Sequence, residues 1–249
     1  MTDSPPQASS DPGRWIRAAL VIFPLGTVLL GIASFGIWQW KKNREEDRSF
    51  KYALALKREI ALGGIEKHTN LLREVLKQGD ALQAVPGYLQ STMGEENMGY
   101  AVRRDRFQSG GAECSNADAE LAGKQMPYDV TMILVPYAAG EESSALALAT
   151  MLSIAHEVTG QPMLRTLRFA TLPRVPGAVE KMAERLRGEG DRVKFLHVLG
   201  SMPERLEESW GLKALGTAIE TPPLPSTPMD AVAFAKALRD KVLAQTGQP

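Results

Sequence analysis

The sequence is poor in the residues that build most covalent and metal chemistry. It holds one cysteine, Cys114, so no disulfide can form within the chain and no cysteine-based zinc site can be assembled. Only three histidines occur, His68, His156 and His197. Net charge is lacking too: 29 basic residues balance 29 acidic ones, which gives no electrostatic ground for a nucleic-acid partner. No Gly-x-Ser-x-Gly elbow, phosphate-binding Gly-Lys-Ser/Thr loop or dinucleotide fingerprint is present. Internal repeats are absent as well, and no low-complexity tract follows the N-terminal tail.

What the chain does contain is a long uncharged run near its start. Residues 1–14, rich in Ser, Pro, Gln and Asp, read as a disordered tail. Ala18–Trp40 then carries no charge, and at about 1.5 Å per residue it is long enough to cross a hydrocarbon core of about 30 Å. Trp15 stands at one end and Trp38 and Trp40 at the other, where interfacial tryptophans belong, and Lys41-Lys42 stops the run. Residues 15–40 are therefore expected to form a single transmembrane helix. A cleaved signal peptide would be shorter in its apolar part and would end in a small-residue site rather than Trp-Gln-Trp-Lys-Lys. Gly26, Gly31 and Gly36 recur every five residues; they permit close helix contact and self-association, but theirs is not the usual spacing of helix dimers. Seven basic residues between Lys41 and Arg58 follow the run and two, Arg14 and Arg17, precede it; by the positive-inside rule alone the following domain faces the cytoplasm.

Residues 41–64 read as a charged helical juxtamembrane stalk with Phe50, Leu54 and Ile60 along one side, ended by Gly63-Gly64. Two helical segments follow, one with Leu71, Leu72, Val75 and Leu76, the other with Leu82, Val85, Tyr88, Leu89 and Met93. Gly99–Phe107 reads as an edge strand and Gln108–Gly111 as a turn. Beyond Asp129 strands and helices alternate. Val130–Pro136 is a continuous apolar strand, Glu142–Val158 a helix, Leu164–Thr171 a strand, Ala178–Arg187 a helix and Val193–Leu199 a third strand. A loop with Thr221-Pro-Pro-Leu-Pro225 leads to a last helix capped by Thr227, with Pro228 at its first position and Asp230 in its first turn. This order predicts an α/β fold, a three-layer sandwich on a mostly parallel or mixed sheet, occupying residues 65–246.

Several short motifs stand in a telling order: Asn116-Ala-Asp-Ala-Glu-Leu-Ala-Gly123, Pro136-Tyr-Ala-Ala139, Glu141-Glu-Ser-Ser-Ala145 and Arg165-Thr-Leu-Arg-Phe169. From about His68 to Pro203 the chain resembles the zinc-dependent aminopeptidase domain of the M28 peptidases. The resemblance implies a site at the ends of the strands in which His, Asp and Glu residues hold two zinc ions beside a glutamate general base. This sequence departs from that pattern at nearly every point. The first ligand position falls at Pro136 or Tyr137, and the bridging carboxylate falls near Glu141. A Glu-Glu pair is expected where Leu172-Pro-Arg-Val175 stands, an Asp near Leu199-Gly-Ser201, and a late histidine that has no candidate. The expectation is thus an M28-like domain without catalytic residues, cofactor or metal ligands, with Glu141 and Glu142 as the residual metal candidates. It would act as a binding or structural module, with a protein partner or self-association. The alternative is an active metal-dependent aminopeptidase with a non-standard zinc site.

Other reactive residues have plainer readings. Glu141-Glu142 suits the start of a helix, His156 a helix surface and His197 a satisfied core position, while Cys114 is placed in a loop with no histidine near it in sequence. Because M28-like domains are commonly exported or face outward, the resemblance opposes the flanking charge, and the extracytoplasmic orientation is the one expected here.

Overall fold

The computed structural model describes residues 59–247. The expected tail, transmembrane helix and most of the stalk lie outside the described residues. Among the described residues no helix is long and apolar enough to cross a membrane.

Two helices open the domain, α1 (Leu62–Lys77) and α2 (Ala81–Met93). Gly63 and Gly64 were expected to stop a helix; instead they lie in the first turn of α1, and Ile60 ahead of them is already buried in the core. Helix α1 turns Ile65, Leu72 and Leu76 inward at helical spacing.

A hairpin follows, β1 (Arg103–Ser109) and β2 (Ala112–Leu121). Its two-residue turn, Gly110-Gly111, has both φ angles positive, at 59° and 81°, the conformation that favours glycine and matches strand twist. The edge strand begins four residues later than Gly99, the expected start. Strand β2 was not expected as a strand, and it carries Cys114 out of the loop assigned to it: the cysteine is buried in the sheet. Burial, then the charge of Glu113, pushes its thiol up, away from a reactive thiolate.

The alternating part follows as expected, with β3, β4 and α4 longer than read and β5 shifted by one residue: β3 (Gly123–Tyr137), α3 (Glu142–Val158), β4 (Met163–Pro173), α4 (Ala178–Glu189) and β5 (Arg192–Val198). Short helices α5 (Leu206–Ser209) and α6 (Leu212–Leu215), a short strand β6 (Ala218–Glu220) and a final helix α7 (Pro228–Thr246) complete the domain. Thr227 caps α7 by accepting the Asp230 N–H at 3.2 Å.

The sheet runs β1-β2-β4-β3-β5-β6. Pairs β4/β3, β3/β5 and β5/β6 are parallel, whereas β1/β2 and β2/β4 are antiparallel, so the sheet is mixed. Side chains alternate to its two faces. Ile133, Val135, Leu167 and Phe169 join the core formed with α1, α2, α3 and α7, while Met132, Leu134, Ala170 and Leu172 join the core formed with α4. Helix α3 is buried almost throughout. The three-layer α/β architecture is the one read from the sequence.

Candidate functional site

Parallel pairing brings the carboxyl ends of β3, β4 and β5 together. Tyr137 is opposite Pro173, Leu134 is opposite Val198, and the Leu199 N–H extends the ladder to the Leu134 carbonyl at 2.8 Å. In open α/β sheets the crevice outside these ends is where ligands bind. Three loops leave from here, and Gly140 (φ 76°) fixes the first by donating its N–H to the Leu76 carbonyl of α1 at 2.9 Å.

That turn places Glu141 at the N-terminus of α3. Arg174, just past β4, donates its backbone N–H to the Tyr137 carbonyl at 2.8 Å, which aligns the two loops. The Arg174 Nη1 then donates to the Glu141 Oε1 at 3.0 Å. The other carboxylate oxygen of Glu141 accepts from the Ser144 hydroxyl at 2.7 Å. Burial works to raise the Glu141 carboxyl, but the hydrogen bonds of Ser144 and Ser143 and the charge of Arg174 outweigh it and hold it below the usual carboxylate range.

Gly200 forms the floor. Its φ is 128°, and a Cβ there would lie 3.5 Å from the Arg174 Nη2 and 3.8 Å from the Pro136 carbonyl oxygen. Ser143 and Ser201 contribute hydroxyls, and the loop Thr221–Leu224 closes the far side. Together these residues enclose an open cavity of about 320 Å³.

The two residual metal candidates separate. Glu141 faces the cavity, whereas Glu142 is exposed and turns to Arg73 of α1 at 3.6 Å. Tyr137 is a core residue: its ring is fully buried, its hydroxyl donates to the Leu82 carbonyl at 3.2 Å, and burial pushes its pKa up. Pro136 offers only its carbonyl. Among the described residues no group of three or more His, Cys, Asp and Glu side chains converges as a metal site would require.

The histidines lie elsewhere. His197 is buried in β5, a core position as expected, with Nε2 at 2.7 Å from the Gln245 side-chain oxygen of α7; its Nδ1 makes no hydrogen bond among the described residues and lies 3.4 Å from the Glu220 carboxylate. His156 is exposed on α3. His68 shares a 2.7 Å hydrogen bond with the Tyr88 hydroxyl, and burial, then Lys67 and His156, lower its pKa.

Sequence reading missed Arg174 as a participant, although its position among the expected carboxylates was in view. It also missed a buried ionic cluster beneath α4. Arg168 is 2 % exposed and contacts Asp118, Glu120, Glu189 and Asp191; Asp118, Glu120 and Glu189 also hold Arg103, and Asp105, Asp118 and Glu189 hold Arg185.

No protein-family model matches the sequence, and no curated protein sequence does. Solved structures do match. A candidate zinc-dependent exopeptidase from Bacteroides vulgatus superposes with a TM-score of 0.53 at 10% identity, over 75% of this chain and 98% of its own. A glutaminyl cyclase from Fimbriiglobus ruber matches at 16% identity and TM-score 0.45, over 56% of this chain and 61% of its own. A zinc-dependent exopeptidase from Parabacteroides distasonis matches at 8% identity and TM-score 0.47, over 57% and 62%. The chain thus spans about three fifths of the length of these last two. On the superposition with the Bacteroides vulgatus protein, the chain shares that protein's fold, which is the fold that the M28 resemblance in its sequence implied.

Proposed function

We propose that this protein is a membrane-anchored, catalytically inactive member of the M28-like group, acting as a binding or structural module. The observation that carries this reading is the Arg174–Glu141 ion pair. Where the resemblance calls for a metal-binding carboxylate after β4, a guanidinium stands and neutralises the one carboxylate that remains in the cavity. The residues present do not fit zinc. Among the described residues Glu141 is the only acidic side chain lining the cavity and no histidine lines it, and Glu141 is committed to Arg174 and Ser144. A zinc site needs about three protein ligands with an open position. The uncharged run Ala18–Trp40 supports the anchor.

The test is elemental analysis of protein purified without chelators, beside an aminopeptidase assay with added zinc or cobalt. No stoichiometric metal and no release of amino acids from aminoacyl substrates are expected. Bound metal in stoichiometric amount, with hydrolysis that depends on it, would establish the alternative, an active enzyme with different ligands.

A further inference from the structure

We infer that the cavity between Glu141, Arg174 and the Thr221–Leu224 loop binds a carboxylate group, anchored by Arg174. This rests on the reading of the domain as a binding module and names what it binds.

The guanidinium of Arg174 is only partly used. One of its nitrogens, Nη1, donates to Glu141, whereas Nη2 and Nε have no acceptor among the described residues. The Nη2 edge lies over Gly200, where the absence of a side chain leaves the guanidinium open to the cavity. A planar guanidinium presents parallel N–H groups that match a carboxylate, and such charge-assisted pairs are the stronger hydrogen bonds.

Glu141 does not block this role. Its charge is met by two serine hydroxyls and by the N-terminus of α3 as well as by Arg174. It holds the guanidinium in place by one nitrogen and leaves the other edge for a ligand. The Ser143 and Ser201 hydroxyls add donors, and Pro222, Pro223 and Leu224 give an apolar wall on which a short aliphatic stem can lie. A cavity of about 320 Å³ accommodates a small organic acid or the last residue of a peptide. These two sources share the carboxylate and differ in what is attached to it.

The experiment uses the full chain in detergent micelles and isothermal titration. Probes are N-acetyl-Leu-Ala with a free carboxyl terminus, the same dipeptide as its C-terminal amide, and succinate. The free acid is expected to bind at least about tenfold more tightly than the amide, the loss that follows from deleting one charge-assisted pair. Arg174→Gln is expected to abolish the preference for free acid over amide and Arg174→Lys to keep part of it, while Glu141→Gln is expected to tighten binding of the acid by removing a competing charge. Preference for succinate over the dipeptide assigns the site to free acids; the reverse assigns it to peptide termini. Equal binding of acid and amide, no binding of any probe, or binding that survives Arg174→Gln in protein with unchanged circular dichroism overturns the inference. Hydrolysis of aminoacyl substrates by the same preparation would overturn the inactive reading alone, since the Arg174 variants decide carboxylate binding separately.

Discussion

Arg168 is a buried cation held by four carboxylates. Its side chain is buried between β2, β4 and the end of α4, with Asp191 at 2.7 Å and Glu120 at 2.6 Å. Removing one partner of such a set leaves charge in a poorly solvated place, at a cost of about 3–5 kcal/mol. Arg168→Leu is therefore expected to lower the urea midpoint sharply, because Asp118 and Asp191 lose a counter-ion. Carboxylates outnumber guanidiniums in the cluster, and that sets a pH dependence. Burial pushes Asp191 up to about 6 from 3.8, against the pull of Arg168 and with help from Glu189 and Glu120. The folded state thus binds this proton more tightly than the unfolded state, so its contribution to stability is complete below about pH 4 and is lost as pH rises through about 6. Glu120 and Glu141, whose pKa values are lowered, act in the opposite sense and lose their contribution as pH falls. The Asp191 share is isolated by comparison: the stability of Asp191→Asn relative to the parent should rise between pH 5 and pH 7.5, because only the parent loses stability as this carboxyl ionises. Parallel stability–pH curves for the two proteins would refute it.

At the scale of elements, the strands and helices beyond Asp129 were legible because each buries an apolar face with its own period. Val130–Pro136 is buried on both sides, and Ala178–Arg187 repeats Val179, Met182, Ala183 and Leu186 on one side. Strand β2 was not legible for a definite reason. Its Ser115, Asn116 and Asp118 are buried, Asn116 by donating to the Ala178 carbonyl at 2.8 Å and Asp118 through the arginines opposite. A polar residue made core by a distant partner leaves no hydropathy signal. The candidate site divides in the same way. The strand ends from which the loops after β3, β4 and β5 leave were legible, but the Thr221–Leu224 wall comes from far along the chain, and the tie of Arg174 to Glu141 depends on backbone alignment. Two glycines test the element-scale account with opposite signs. Gly123 starts β3 so close to β4 that a Cβ would lie 2.5 Å from the Arg165 carbonyl carbon and 2.6 Å from the Leu164 oxygen. Gly123→Ala is expected to cost about 1–3 kcal/mol by forcing the strands apart. Gly64 lies inside helix α1 with nothing within 4 Å of an added Cβ, so Gly64→Ala is expected to stabilise by about 0.5–1 kcal/mol. Chemical denaturation reads both, and shifts of the same sign would contradict the placement of one of them.

At the scale of the whole molecule, the two parts of the sequence make different demands on solvent. The α/β domain buries its apolar residues internally, and its large exposed hydrophobic side chains, Leu71, Tyr128 and Met229, are scattered along the chain. The run Ala18–Trp40 carries no charge to hold it in water. The full-length protein is therefore expected to partition with membranes, to resist extraction by high salt and carbonate, and to be released by detergent. A chain starting at Glu59 keeps Ile60 and the whole of α1, including Ile65, Leu72 and Leu76 that pack in the core, and is expected to be soluble. Starting at Gly64 instead discards the buried Ile60 and opens the first turn of α1, so that shorter chain should be less stable than the one from Glu59. Recovery of the uncleaved full-length chain in the soluble fraction would refute the anchor. Orientation turns on two opposed considerations. The basic residues between Lys41 and Arg58 favour a cytoplasmic domain, since loop charge close to a helix end weighs most. The M28 resemblance favours the outer side, and a domain of this length can cross despite its flanking charge. We therefore expect protease added to spheroplasts to digest the C-terminal domain, and protection of that domain until the membrane is opened would place it in the cytoplasm instead.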